Sequence, residues 1–308
     1  MRVFIDRAGN STNSFRAIAA ISALLAFSSA MSGCRGRRSD SIVVGSKNFT
    51  EQIILAELVA QQIEAHTTLR VERRINLGGT LICHQALVSG QLDIYPEYTG
   101  TALTAILSQP PMRDPAAVFA AVKSAYAQRF AVDVLPPLGF ENTFAIVVRG
   151  EDARQLHLRK ISELAPLAPK WKAGFGYEFM ERPDGYRGWS AAYGLHFASD
   201  PRILDLGLLY RALADHQVDV VAGNSTDGVI AAQGLAVLED DRHYFPPYEA
   251  VLLVRGAALD AHPEVRAALE ELGGRISADE MRRMNYDVDG QHRDPGEVVR
   301  EFRLAKGF

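Results

Sequence analysis

A helix–strand–turn unit that is written twice constrains this chain more than any other feature. Residues 86–101 read ALVSGQLDIYPEYTGT and residues 212–227 read ALADHQVDVVAGNSTD. Ala-Leu, then Gln-Leu-Asp or Gln-Val-Asp, then a polar helix start recur at matching offsets, which sets Tyr98 against Asn224. Each copy runs from a helical pattern into a short continuous apolar stretch, the pattern of a helix followed by a buried strand. Two further strand patterns, 145–148 and 250–254, both run into Arg-Gly, at Arg149-Gly150 and Arg255-Gly256. Unrelated helix–strand units also share such patterns, so the match admits chance; taken as genuine, it predicts two similar lobes facing one another across a cleft.

At 308 residues, 47% hydrophobic and 23% charged, the chain is globular in composition and long enough for about two domains. A net charge of -4 and a pI near 6.1, with no basic stripe interleaved with aromatics, argue against a nucleic-acid partner. No G-x-S-x-G elbow, H-E-x-x-H, zinc-spaced cysteine pair or phosphate-binding loop is present, and the eight histidines are scattered. No enzyme, metal or cofactor is expected. The acid–base cluster Asp240-Asp241-Arg242-His243 reads as a solvated loop.

Residues 1–33 read as a secretory signal. Arg2, Arg7 and Arg16 precede an uncharged apolar run, 17–30, that is too short to span a bilayer comfortably and ends in small residues. Met31-Ser32-Gly33-Cys34 resembles the bacterial lipobox, with Met31 where Leu is usual, and makes Cys34 the expected lipidation site; a free thiol is the alternative. Only Cys83 would remain after processing, in an apolar helical pattern that reads as core. Residues 34–40 read as a tether.

From Ser41 onward strands and helices alternate without hairpin signals, which predicts an α/β fold with mainly parallel sheets. Ligands bind such sheets at the carboxyl ends of the strands, where Lys47 and Tyr98 both fall. Tyr95 and Tyr98 offer faces that attract poorly hydrated cations, and the helix start at Thr99-Gly100-Thr101 offers free N–H groups to an anion. A zwitterion with a quaternary ammonium and a carboxylate would use both. The bland alternative is an ordinary strand-to-helix turn with two half-buried tyrosines.

VGSKNFTEQ at 44–52, LGGT at 77–80, YPEYTGT at 95–101, Arg182-Pro183-Asp184-Gly185 and Phe245-Pro246-Pro247-Tyr248 occur together and in order. Together they resemble the glycine betaine and related osmoprotectant binding proteins of ABC transporters, the OpuAC/ProX-type family. The resemblance implies a type II periplasmic-binding-protein fold, two α/β lobes joined by two crossovers near 142–143 and 245–247. Lobe one would comprise 41–142 plus 247–308, and lobe two 143–246. It implies a lipid-anchored extracytoplasmic receptor, monomeric, that closes on a small zwitterionic or cationic ligand and delivers it to permease subunits. Another amine, an amino acid or a non-transport sensing role are the alternatives.

The same resemblance implies Tyr98 and Tyr248 as walls of an aromatic cage for the trimethylammonium group, and Lys47, Thr101 and Arg182 as holders of the carboxylate. Asn142, Phe144 and Asn224 complete the expected ligand-binding set. Two positions depart from the family pattern, Phe144 and Asn224 standing where cage tyrosines are expected. Phe keeps a π-face and Asn supplies none, so the cage is expected to be incomplete. The C-terminal region predicts three helices returning to lobe one, with Ser277/Glu280 and Asp294/Glu297 at two of their starts and a turn at 287–290.

Overall fold

The computed structural model describes residues 40–308; the expected secretory signal, 1–33, and Cys34 lie outside the described residues. Among the described residues, ten strands form two five-stranded sheets. The first has the order β2-β1-β3-β10-β4, from β1 (Ser41–Gly45), β2 (Arg70–Arg74), β3 (Ile94–Tyr98), β4 (Val132–Val134) and β10 (Ala250–Arg255). The second has the order β7-β6-β8-β5-β9, from β5 (Phe144–Arg149), β6 (Ala173–Phe175), β7 (Arg202–Ile203), β8 (Val220–Asn224) and β9 (Leu235–Leu238).

The sheets are not mainly parallel, which corrects the expectation from the sequence. Each has two parallel pairings and two antiparallel ones, the latter made by β10 with β3 and β4, and by β5 with β8 and β9. The physical reason is where these strands begin. β5 starts at Phe144 opposite Asn224, and β10 starts at Ala250 opposite Tyr98. Each enters its sheet beside the carboxyl end of its neighbour and must run against it.

The written-twice unit is a structural repeat. β3 and β8 hold equivalent places, and the arginine ending each antiparallel strand pairs with the aspartate before them: Arg149 Nη2 with Asp219 Oδ1 at 2.8 Å, Arg255 Nη2 with Asp93 Oδ1 at 2.5 Å. The second oxygen of each aspartate accepts the N–H that leads into or lies within the neighbouring parallel strand, from Lys172 and Val43 respectively, both at 2.9 Å. One ion pair at the strand ends therefore ties three strands together in each lobe.

Helices cover both sheets. Along the chain they include α1 (Thr50–His66), α2 (Thr80–Val88), α3 (Pro115–Phe130), α4 (Tyr177–Glu181), α5 (Tyr186–Tyr193), α6 (Leu209–Ala214), α7 (Pro263–Glu270), α8 (Ala278–Asp289) and α9 (Pro295–Lys306), with further short helices, among them Gly150–Gln155 and Gly256–Ala261, between. α1 buries Ile54, Leu55, Leu58 and Ile63 in one core with Val44, Ile94 and Leu252. α7, α8 and α9 contribute Val265, Met281, Met284 and Val298 to that same core, so the C-terminal region does return to the first sheet. Cys83 sits fully buried in a second core on the opposite face with Val251 and Leu253, and burial pushes its thiol up to about 12.

Helix starts follow local chemistry. Asp114 accepts the Ala117 N–H with Pro115 in the first turn of α3; Ser277 and Glu280 make a reciprocal capping box on α8; Asp294 accepts the Glu297 N–H on α9. The turn expected at 287–290 is corrected, since α8 continues through Asp289, whose carboxylate accepts the Thr50 hydroxyl at 2.5 Å.

The chain passes between the sheets twice, and the two passages lie side by side. The Asn142 N–H donates to the Tyr248 carbonyl at 3.0 Å, and Glu141 bridges Glu249 in antiparallel fashion. Thr143 and Ser225 exchange two further bonds, so the carboxyl end of β8 is tied to this pair.

Candidate ligand-binding site

Where the carboxyl ends of β1, β3, β6 and β8 converge there is a cavity of about 730 Å³. Its wall includes all eight residues singled out in the sequence: Lys47, Tyr98 and Thr101 beside the first sheet, Phe144, Arg182 and Asn224 beside the second, Asn142 and Tyr248 in the passages between them. Tyr95 is not in the wall. Strand alternation turns it to the opposite face, where it is fully buried with Leu253 and Val251.

Arg182 follows α4 and is buried, with its guanidinium 5.0 Å from the Phe144 ring and 5.6 Å from the Tyr248 ring. Its Nε and Nη2 hold the two oxygens of Asp184 at 2.8 and 2.6 Å, and its Nη1 donates to Thr101 Oγ1 at 2.9 Å. Asp184 also accepts the hydroxyls of Tyr248 and Thr104, at 2.6 and 2.9 Å. Burial works to raise the Asp184 carboxyl, but the Arg182 charge and these hydrogen bonds outweigh it and hold it below its ordinary value. The pair of hydrogen bonds that a ligand carboxylate would take from this edge of the Arg182 guanidinium is therefore made with the protein's own carboxylate.

Lys47 is 2% exposed and paired with Glu97 at 2.6 Å, with Thr80 Oγ1 at 3.3 Å. Glu97 is reachable because β1 pairs β3 only at Val44 and Ile94, which leaves the end of β3 open beyond that point. The Lys47 ammonium lies 4.8 Å from the Tyr98 ring centroid. Thr80 opens α2, and its N–H donates to Glu178 from α4, an acid placed where a helix start favours negative charge. Gly100 is required by close packing: a Cβ there would lie 2.6 Å from both the Pro247 carbonyl and the Tyr248 ring.

Behind Tyr98 lies Glu51, fully buried on α1. It accepts the Tyr98 hydroxyl at 2.6 Å, Asn142 Nδ2 at 2.9 Å and Asn285 Nδ2 at 3.0 Å. Asn285, on α8, also donates to the Thr226 carbonyl at 2.9 Å. Burial raises the Glu51 carboxyl, and the polar groups around it, Thr226, Tyr98, Asn285 and Asn142, pull against that. One carboxyl thus joins the cavity wall, a passage between the sheets and the C-terminal helices.

On the far side, Asp227 Oδ2 accepts the Tyr210 hydroxyl at 2.5 Å and the Asn224 N–H at 3.0 Å. Desolvation pushes the Asp227 carboxyl up to about 6, with the Glu51 charge adding to it. Glu51, Glu97, Asp184, Asp227 and Glu178 all escaped the sequence reading. Four had a signal there: Glu51, Glu97 and Asp184 lie inside the motifs VGSKNFTEQ, YPEYTGT and Arg-Pro-Asp-Gly, and Asp227 is the counterpart of Thr101 in the repeat.

Two cations are each matched by a buried carboxylate, and aromatic faces stand beside both. With Glu178 and Asp227 also in the wall, the site offers partners to both signs of charge and carries a surplus of acid. Residues 40–304 match the model of the family described as the substrate binding domain of ABC-type glycine betaine transport systems. The chain belongs to this family. The carnitine transport binding protein of Listeria monocytogenes is 36% identical over 96% of both chains. The ergothioneine transport permease/ergothioneine binding protein of Helicobacter pylori is 32% identical over 87% of this chain and 48% of its own length. A crystal structure of a glycine betaine/carnitine/choline ABC transporter is 34% identical, with a TM-score of 0.71 over 86% of this chain and 98% of that one. The fold of this binding protein is the two-lobed type II periplasmic-binding-protein fold, and its function is that of the substrate-binding component of an ABC importer.

Proposed function

We propose that this binding protein takes a small zwitterion with a quaternary ammonium, of the glycine betaine and carnitine kind, between its two lobes. The observation that carries the reading is the convergence of Tyr98, Phe144 and Tyr248 with Lys47 and Arg182 on one cavity lined from both sheets. The aromatic faces replace hydration that a quaternary ammonium holds weakly, and the Thr101 hydroxyl with the N–H donors that Arg182 and Lys47 keep beyond their internal partners receives the carboxylate. Closure is a hinge motion of lobe two (143–246) on lobe one (41–142 with 247–308), at the paired segments around Asn142 and Pro247. The closed form is presented to permease subunits outside the cytoplasm by a monomer anchored through lipid at Cys34. It acts as a receptor and not as an enzyme.

The test is a calorimetric and thermal-shift panel of glycine betaine, choline, carnitine, ectoine, proline and simple amino acids. Trimethylammonium zwitterions should raise the Tm most, and Tyr98→Ala and Arg182→Ala should each abolish the response. Wild-type behaviour of both variants, or a response confined to simple amino acids, overturns the assignment.

A further inference from the structure

Asn224 stands where the repeat sets it against Tyr98, and Asp227 stands where the repeat sets it against Thr101. Lobe two therefore presents an amide and a carboxylate where lobe one presents an aromatic ring and a hydroxyl. The short Asn224 side chain leaves the cavity running on to Leu204, Leu206, Leu209 and Tyr210. Gly223 is part of this arrangement, because a Cβ there would collide with the Tyr210 hydroxyl that reaches Asp227.

The hydrogen bonds decide what this extension offers. Asp227 Oδ2 is taken by the Tyr210 hydroxyl and the Asn224 N–H, whereas Oδ1 has only the long 3.4 Å approach of Asn224 Nδ2. An ionised carboxylate only accepts, so the Asn224 amide must turn its NH₂ toward Asp227 and its oxygen away from it. Two acceptor oxygens, Asp227 Oδ1 and Asn224 Oδ1, are left on half-buried residues in the cavity wall, with apolar leucines around them.

Resting on the reading of the site as one for quaternary-amine zwitterions, we propose that Asn224 and Asp227 form an acceptor subsite that selects ligands carrying an additional hydrogen-bond donor. The class is betaines larger than glycine betaine that bear a hydroxyl or a ring N–H beyond the trimethylammonium–carboxylate core. A ligand without that donor leaves the Asp227 oxygen desolvated and unpaired, and is rejected for that reason.

Two matched pairs of probes test this by calorimetry. Carnitine and γ-butyrobetaine differ by one hydroxyl; trimethylhistidine and trimethylphenylalanine differ in ring N–H donors at similar bulk. The wild-type protein should bind the donor-bearing member of at least one pair about tenfold or more tightly, and the pair that discriminates tells hydroxyl from ring N–H. Asp227→Asn keeps an oxygen for Tyr210 and the Asn224 N–H but replaces the free acceptor with a donor, so the preference should vanish or invert. Asn224→Ala, which leaves the carboxylate in place, should reduce it. Equal affinities within both pairs, or an unchanged preference in Asp227→Asn, overturn the proposal while leaving the zwitterion site intact. Failure of every trimethylammonium compound to bind overturns both.

Discussion

Arg182 holds Asp184 along a whole edge of its guanidinium, Nε to Oδ1 at 2.8 Å and Nη2 to Oδ2 at 2.6 Å. The arginine that a ligand carboxylate would seek is thus oriented by an internal carboxylate, itself fixed by Tyr248 and Thr104. This grip aims Nη1 at Thr101, across from one sheet to the elements of the other. Orientation of a ligand-binding cation before the ligand arrives lowers the ordering cost of binding.

Asp184→Asn should therefore cost about 3–5 kcal/mol of folding stability, the usual loss when one partner of a buried ion pair is removed. Urea unfolding measures it. A carboxylate-bearing ligand such as glycine betaine should restore more of the loss than choline, which has no carboxylate. Equal rescue by both would place the Arg182 charge outside ligand binding.

Lys47 and Glu97 are both almost completely buried, so Lys47→Met leaves an acid without a counter-charge, and Glu97→Gln leaves the ammonium without one. Each single variant should lose about 3–5 kcal/mol, and the double variant less than the sum, with a coupling of about 0.5–3 kcal/mol in a double-mutant cycle. Additive losses would mean that the pair makes no direct contribution.

Glu51→Gln keeps the shape but turns one acceptor into a donor facing the NH₂ groups of Asn142 or Asn285 or the Tyr98 hydroxyl. A loss of about 1–3 kcal/mol is expected in urea unfolding. Because Glu51 holds Tyr98 from behind, affinity for a trimethylammonium ligand should fall with it. Unchanged affinity alongside reduced stability would confine Glu51 to a structural role.

Asp227 has its carboxyl raised from an ordinary 3.8 to about 6. A carboxyl raised on folding binds its proton more tightly in the folded chain. Its contribution is fully present below about pH 3.8 and is lost as pH rises through about 6. The Glu51 charge opposes its ionisation, while the Tyr210 hydroxyl donates to it and favours the ionised form. The stability of wild type relative to Asp227→Asn should therefore fall as pH rises from about 4 to about 7. Parallel pH profiles for the two proteins would exclude this titration.

Asn224→Tyr should restore an aromatic wall. Glycine betaine should then bind about 2- to 30-fold more tightly, the affinity range of about 0.5–2 kcal/mol of cation–π attraction, as measured by calorimetry. Donor-bearing betaines should gain less, since the ring fills the extension toward Tyr210.

The fold was largely legible because its signals are local. Apolar runs such as IVV at 42–44, the Pro and Asp at the start of α3, and the Ser277/Glu280 box each act within a few residues. Strand direction was not legible for β5 and β10. Nothing in an apolar strand records which end enters the sheet, and that was settled by the two passages between the sheets.

The eight cavity residues were legible chiefly through the family resemblance, with Lys47, Tyr98 and Asn224 also marked by their place at strand ends. Their partners were not. Glu51 meets Asn285 across 234 positions of the chain, Lys47 meets Glu97 across 50, and Arg182 meets Thr101 across 81.

By itself, the sequence of this protein determined two copies of one α/β unit, and with them a cleft at the carboxyl ends of their strands. Periodicity and repetition are properties of neighbouring residues, so one chain suffices to show them. Only the tertiary structure decided which charges in that cleft are already spent. Whether a buried lysine or arginine is free depends on a carboxylate brought to within hydrogen-bonding distance by packing, and on the water that packing removes.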